Sequence, residues 1–544
     1  MVKNYLFLRK NLFLGFLIMS ITTWTITIAL PYLSGKYMDN LLKIKSLDIV
    51  YTFTIIMVAV LIFDVVLGFL KSLLVTKLSC LTAFDLNYKI LEHVKKLPVN
   101  YFNGKNTAYL TQRINSDANV VTGFVIENMI ALATNILTFL IAAVYMLTVN
   151  KVLACFLFLI IPIYVAVYKL FKNILYKRGY ENREKLNEFF GKMNEQLHKI
   201  KLIKLNSWYD VFASKFKDDF NPAYKSQIEM TKVQGFYSSA ITIVTYSAKI
   251  IVFFAGGIQV IQDKMTIGQF TAINAYFSML LDCTTYFVSF GQSYQQAKVA
   301  YTRITELFQA EIECNGKKIL TDIESIEFKN ITFGYDPKRD LLEGFDQTFE
   351  KGRIYSIIGR NGIGKSTLID LMVGLHNDYD GEILINRTCI KDIDVYNLRR
   401  NLVGFVEQEP ILFNDTVFNN LTFGVQGYTK SKLDSIMTDM GITDLMEKLP
   451  VGINTEVSEK ANNISGGEKQ KISIIRSLVK NAQLLVFDEP TSAMDATGIR
   501  NFKRLLEKLK HDRIIVIITH SHDLIDISDE IIEISKEKEI SATA

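Results

Sequence analysis

Six apolar runs fill the first 300 residues: Leu12–Leu33, Val50–Leu70, Ile130–Leu147, Val152–Leu170, Ala240–Ile261 and Phe270–Phe290. A bilayer core takes about 20 apolar residues in a helix, so each run predicts a membrane span. Two long charged segments, Lys71–Asn128 and Phe171–Ser239, separate some of the runs. Both are mostly helix-compatible and read as extensions of the spans beyond the bilayer. Leu97-Pro98-Val99-Asn100-Tyr101-Phe102-Asn103 interrupts the first. Past residue 300 the pattern changes. Tyr301–Glu324 is polar and linker-like, Ser325–Thr332 alternates as a strand, and Arg353–Ile358 and Leu484–Phe487 are short apolar runs of strand length. The predicted organisation is an α-helical transmembrane domain over 1–300, a linker over 301–324 and an α/β domain over 325–544.

Charge orients the first half. The two long segments hold Lys77, Lys89, Lys95, Lys96, Arg113, Lys172, Lys177, Arg178, Arg183, Lys185, Lys199, Lys201 and Lys204. The other connections are shorter and poorer in basic residues, so the long ones are expected in the cytoplasm. Six spans then place both termini and the α/β domain there, in a multi-pass protein of the cell membrane. Lys3, Arg9 and Lys10 precede the first run, which is longer than the roughly 7–15 apolar residues of a signal peptide and lacks a small-x-small cleavage site. It reads as a retained span. The net charge of +5 serves orientation and contact with anionic lipid. No nucleic-acid partner is expected, because no reader motif or stacking aromatics accompany the charge. The five cysteines form no C-x-x-C pair, so neither a zinc site nor a disulfide framework is predicted.

Asp64, Lys249 and Asp282 fall inside the runs. Each costs about 2.5–3.5 kcal/mol at a helix centre on insertion scales. All three lie roughly 20 Å below the outer ends of their helices. They are expected to form one polar layer, with Lys249 pairing Asp282 or Asp64. The layer would either line a water-filled path or be purely structural. Tyr276, Phe277, Tyr286, Phe287 and Phe290 could face a cargo or simply pack.

The second half carries the chemistry. Gly359-Arg360-Asn361-Gly362-Ile363-Gly364-Lys365-Ser366 fits the phosphate-loop pattern G-x-x-x-x-G-K-[ST], between a predicted strand and a helix opening at Thr367. Glycines let backbone amides point at phosphates. Lys365 would reach the β- and γ-phosphates, and Ser366 would ligate Mg²⁺. Asp488 and Glu489 end an apolar strand, where Asp488 suits the metal and Glu489 suits a general base. Ile464-Ser465-Gly466-Gly467-Glu468 precedes a predicted helix and forms a second anion site. Gln408 can touch the metal or water, His520 a γ-phosphate, and Tyr335 a purine face.

These motifs, in this order and with the Ser492–Asp495 turn, resemble the nucleotide-binding domain of an ABC transporter. The first half is similar to the six-helix domain of multidrug- and peptide-type ABC exporters. Leu97–Phe102, Leu110–Asp117 and Met265–Phe270 carry that likeness. The resemblance implies a half-transporter that hydrolyses ATP with Mg²⁺ and works as a dimer, a homodimer being favoured and a heterodimer possible. It implies ATP contacts at Tyr335, Gly359, Asn361, Gly362, Gly364, Lys365, Ser366, Thr367, Ser465, Gly466, Gly467, Glu468 and Asp495. Metal contacts are implied at Ser366, Gln408 and Asp488, and catalytic roles at Glu489, His520 and Gln408. Lys365 of one subunit and Ser465-Gly466-Gly467 of the other would hold one ATP. Residues Asn103–Arg113 and Trp208–Phe212 would lie at the coupling helices. The sequence departs from the family at Ile464, at Glu468 (usually Gln) and at Thr455–Ala461, which lacks a Gly-Glu-Arg-Gly core. The expected cargo is a peptide (bacteriocin-like or signalling) or an amphipathic compound, with a multidrug or lipid exporter and a non-transporting ATP-gated regulator as alternatives. No peptidase-sized domain precedes Leu12, so processing of a leader peptide is not expected.

Overall fold

The computed structural model describes residues 8–102, 107–336, 339–423, 425, 428–457 and 464–535. Two compact units emerge: Met1–Lys95 with Asn106–Gln309, and Lys96–Lys105 with Ala310–Ala544. Lys3, Asn103 and the stretch 458–461 lie outside the described residues.

The first unit is helical: α1 (Lys10–Ile44), α2 (Leu47–Val94), α3 (Thr107–Gly123), α4 (Met129–Val149), α5 (Lys151–His198), α6 (Ile200–Leu205), α7 (Tyr209–Ile261) and α8 (Ile267–Gln309). A π-turn, Phe124–Asn128, joins α3 to α4. Local chemistry sets the breaks. Lys45 adopts a left-handed conformation after α1, and the Ser46 hydroxyl accepts the Asp48 amide to start α2. The Asn150 side chain accepts the amides of Val152 and Leu153 to start α5. Helices α2 and α5 run on far beyond their apolar runs, to Val94 and His198.

Among the described residues, five helices are long and apolar enough to cross a membrane, not six. The sixth expected span, Phe270–Phe290, sits within α8, which falls short of that apolar standard. Its position explains why. Ala272, Ile273, Tyr276, Phe277, Leu280 and Leu281 are buried against the other helices, so α8 does not need an apolar surface all round. Tyr276 and Phe277 are therefore core residues. Tyr286 donates to the Asn128 carbonyl at 3.1 Å, and the Phe287 ring meets Phe139 edge to face. Polar composition predicts a linker from residue 301, yet 301–309 continue α8. The expected pairing of Lys249 with Asp64 or Asp282 does not form. Among the described residues no ion pair joins them, and Asp282 lies on an exposed face of α8. Helices α1 and α8 approach backbone to backbone: a Cβ on Gly268 would stand 2.0 Å from the Gly35 carbonyl oxygen. The Asp39 carboxylate accepts the Gly268 amide and the Thr266 hydroxyl, both at 2.8 Å, fixing that crossing.

The second unit is α/β. Its strands are β1 (Ser325–Phe333), β2 (Leu342–Glu350), β3 (Ile354–Ile358), β4 (Asp380–Ile385), β5 (Thr388–Cys389), β6 (Val403–Val406), β7 (Asp415–Thr416), β8 (Glu456–Val457), β9 (Leu484–Asp488), β10 (Ile514–Ile518) and β11 (Glu530–Glu533). Its helices are α9 (Lys365–Met372), α10 (Val395–Asn401), α11 (Val417–Thr422), α12 (Lys430–Asp439), α13 (Thr443–Lys448), α14 (Gly466–Val479), α15 (Ala496–Leu509) and α16 (His522–Ile525). A parallel sheet of order β11-β3-β10-β9-β6 forms the centre, beside an antiparallel sheet β2-β1-β4-β5. Strand β10 is buried along its whole length, as continuous apolar runs demand in a parallel sheet covered on both faces. Helices α11 and α12 pack with α14 as a helical subdomain.

Candidate active site

Parallel register brings the chemistry to one edge. Ile518 of β10 lies opposite Ile357 of β3 and Asp488 of β9. The chain therefore leaves β3, β9 and β10 at one end of the sheet, where the crevice of open α/β folds lies. The phosphate loop follows β3. Gly359, Gly362 and Gly364 all have positive φ (151°, 77° and 117°), a conformation that side chains oppose. Their placement curls the loop around the start of α9.

Lys365 is buried, and its ammonium donates to the carbonyls of Gly359 at 2.7 Å and Arg360 at 3.2 Å. Its Nζ lies 3.3 Å from His520 Nε2. The Ser366 hydroxyl donates to Asp488 Oδ2 at 2.9 Å. Burial pushes the Asp488 carboxyl above its ordinary range, the Ser366 hydrogen bond opposing this and the nearby Glu489 adding to it. Gln408 Nε2 donates to Glu489 Oε2 at 2.8 Å, and His520 Nε2 lies 4.0 Å from Glu489 Oε1. Glu489 holds φ at 45°, uncommon for a non-glycine residue, while its amide donates to the Ile518 carbonyl at 2.9 Å. Lys365, Ser366, Gln408, Asp488, Glu489 and His520 thus form one connected cluster from four strand ends.

Tyr335 is 53% exposed, and its hydroxyl stands 3.3 Å from Thr367 Oγ1. Its ring meets Phe333 and His376 in T-shaped contacts. Asn361 lies exposed in the loop. The glycine cradle, the buried ammonium and the adjoining hydroxyl and carboxylate oxygens fit a triphosphate with Mg²⁺, a hard cation that prefers oxygen ligands and keeps several waters.

The Ser465 group forms a second cluster. Ser465 caps α14: its hydroxyl oxygen accepts the Glu468 amide at 3.3 Å, while its own amide and hydroxyl donate to Glu468 Oε2 at 2.7 and 2.8 Å. Glutamate at 468 therefore completes a reciprocal capping box. Gly467 has a packing reason, since a Cβ there would meet the Ala493 carbonyl oxygen at 2.5 Å. The Asp495 side chain caps α15, accepting the Gly498 amide at 3.0 Å. No hydrogen bond joins this cluster to the phosphate loop among the described residues.

Sequence reasoning missed the supports. Gln470 is buried in α14 and reaches the Glu489 carbonyl at 3.5 Å. Arg476 donates to the Asn420 carbonyl at 2.7 Å and to the Ile411 carbonyl at 3.2 Å, tying α14 to the segment after Gln408. Burial lowers the Arg476 pKa. A lone Gln and Arg on a helix gave no signal of this.

Fold and site define a membrane-spanning P-loop ATPase. The comparisons narrow that class. Residues 12–282 match the ABC transporter transmembrane region family, and residues 342–492 match the ABC transporter family. The chain is an ABC transporter half: a transmembrane region fused to an ABC ATPase domain, an exporter that hydrolyses ATP to drive transport. It is 26% identical over 519 residues to an ATP-dependent lipid A-core flippase of Desulfotalea psychrophila, covering 94% of this chain and 90% of that one. It is 24% identical over 539 residues to the lactococcin-A transport/processing ATP-binding protein LcnC of Lactococcus lactis, covering 98% and 74%. The fold matches a bacterial Atm1-family ABC exporter solved with ATP bound, at TM-score 0.85 and 21% identity over 97% of this chain and 93% of that one.

Proposed function

We propose that two such chains form a homodimer in the cell membrane, with both termini in the cytoplasm, and export an amphipathic cargo, a peptide in the first instance. In this reading α8 crosses as the sixth, interior span. The observation that carries the proposal is the connected cluster Lys365–His520–Glu489–Gln408, held on one sheet edge of a chain whose other half is membrane helices. Amphipathic cargo is supported by relatives of similar identity, whose names include a lactococcin transporter and a lipid A-core flippase.

Lys365 exchanges its two loop carbonyls for the β- and γ-phosphate oxygens. Ser366 and Asp488 would hold Mg²⁺, which would supply neutralisation of charge on the phosphates. Glu489 takes a proton from the attacking water, while Gln408 and His520 hold its carboxylate and the γ-phosphate in line. Ser465 and the glycines after it, from the partner subunit, close over the same triphosphate. Inverting a 1:99 equilibrium between inward and outward cavities takes about 5.5 kcal/mol of differential binding. Two half-sites completed only on closure can supply it. The test is to reconstitute the purified chain alone and screen amphipathic peptides for stimulated ATP hydrolysis. Saturable stimulation with vectorial uptake into inverted vesicles is expected. A chain that hydrolyses ATP only beside a different subunit, or moves nothing, overturns the proposal.

A further inference from the structure

An open groove of about 580 Å³ runs between α1 and α2. Ile26, Leu30 and Leu33 of α1 face Phe53, Ile56 and Val60 of α2 across it, each set at helical spacing. The end nearest the Lys45–Ser46 turn is different. There Lys36 and Asn40 of α1 stand with Asp48 of α2. Lys36 and Asp48 are exposed, and neither has an ion-pair partner among the described residues. The Lys36 ammonium lies 4.9 Å from the centre of the Tyr32 ring. The Tyr37 and Phe53 rings stack across the groove, 3.8 Å apart and 10° from parallel, at the border between its polar and apolar parts.

Dimensions and charge identify what fits. Residues 48–60 of α2 cover roughly 18 Å at about 1.5 Å per residue. One leaflet of a bilayer core about 30 Å thick measures roughly 15 Å. The groove is thus one leaflet deep, apolar within and bipolar at the interface, where aromatic rings also belong. The most apolar window of α2 has no buried residue within the protomer. A lipid with only a negative headgroup would satisfy Lys36 but set like charge against Asp48. A headgroup with one phosphate and one amine satisfies both.

We propose that the α1–α2 groove binds a zwitterionic membrane phospholipid, one acyl chain lying between the helices, its phosphate on Lys36 and its amine on Asp48. The proposal rests on the membrane assignment alone and not on the cargo or the direction of transport. The test uses the full-length protein in nanodiscs of equal phosphatidylethanolamine and phosphatidylglycerol, with native mass spectrometry counting the lipids retained on release. Phosphatidylethanolamine is expected to be retained several-fold over phosphatidylglycerol. Lys36→Gln and Asp48→Asn should each lower that retention about threefold to fivefold, the scale of one exposed ion pair. Ala29→Trp, which fills the groove midway, should remove it with basal ATP hydrolysis unchanged. The two charge variants alter exposed residues, so they keep the test decisive if the tryptophan variant misfolds. Equal retention of the two lipids, or retention unchanged in both charge variants, overturns the proposal. So does an Ala29→Trp protein that loses its dimer but keeps its lipid, which would make the groove a subunit interface.

Discussion

Strand β10 and helix α2 hold some of the most apolar stretches in the molecule, and their fates are opposite. Every residue of β10 is buried, whereas the most apolar window of α2 has none buried. The difference lies in the solvent. Water drives Ile514–Ile518 inward because removing apolar surface from water is favourable. Lipid is as apolar as leucine, so it exerts no such drive on α2. In the membrane unit the more polar helix, α8, takes the centre. Apolar residues mark the interior in one unit, and both the core and an unburied face in the other.

The largest expected effect tests where single polar atoms matter. Glu489→Gln should lower ATP turnover about 10²–10⁴-fold, the usual contribution of a general base, and leave a closed ATP-loaded dimer visible on size exclusion. Asp64→Asn on α2 should leave basal turnover within about threefold, an order-of-magnitude bound for a group outside the base's chemistry. Equal losses in a coupled ATPase assay would erase the contrast between the units.

Next comes a matched pair of apolar truncations. Ile517→Ala in β10 removes fully buried methyl groups and should cost about 2–5 kcal/mol. Leu61→Ala on α2, where the leucine is 64% exposed, should change stability by no more than about 0.5 kcal/mol. Thermal midpoints of both variants in one detergent check the pair. A large loss at Leu61 would mean that this face of α2 is packed against protein.

A third contrast lies within the membrane unit. Gly268→Ala sets a methyl group 2.0 Å from the Gly35 carbonyl oxygen, on backbone that cannot yield cheaply. It should cost about 1–3 kcal/mol, as overpacking does. Gly257 meets nothing within 4 Å, so Gly257→Ala should stabilise α7 by up to about 1 kcal/mol. Melting curves that moved the same way for both would show that close helix approach does not govern this unit.

The same contrast explains what the sequence disclosed. Phosphate chemistry needs fixed residue types at fixed spacing, so the loop at Gly359–Ser366, the carboxylates Asp488 and Glu489, Gln408 and His520 were all legible. Their meeting depends on the strand order β11-β3-β10-β9-β6, which no local pattern encodes. The capping function of Asp495 was hidden because a carboxylate before a helix suits a cap and a ligand equally well. The apolar runs located the membrane helices, but they could not tell that α8 is interior. Nor could composition reveal that 301–309 stay helical, since a polar surface suits a linker and a solvated helix alike. The close approach of Gly35 to Gly268 involves residues far apart in the chain, and a glycine in an apolar run looks the same whether or not another backbone crosses it.

The last expected effect asks whether the interior of the nucleotide unit resists charge as it welcomes methyl groups. Lys480, at the end of α14, donates to the Arg399 carbonyl at 3.0 Å, and burial pulls its pKa from 10.5 down to about 8. Between those values the unfolded chain holds the proton and the folded chain does not. Stability contributed by this group therefore rises with pH from about 8 to about 10.5, and below about 8 the full penalty of a buried charge applies. Lys480→Met should be more stable than the parent on the neutral side of that window, with the difference shrinking as pH climbs through it. Denaturation midpoints of the two proteins at several pH values measure this directly. A gap that stays constant would show that water still reaches the amine, and that this part of the unit is not the dry interior its methyl groups imply.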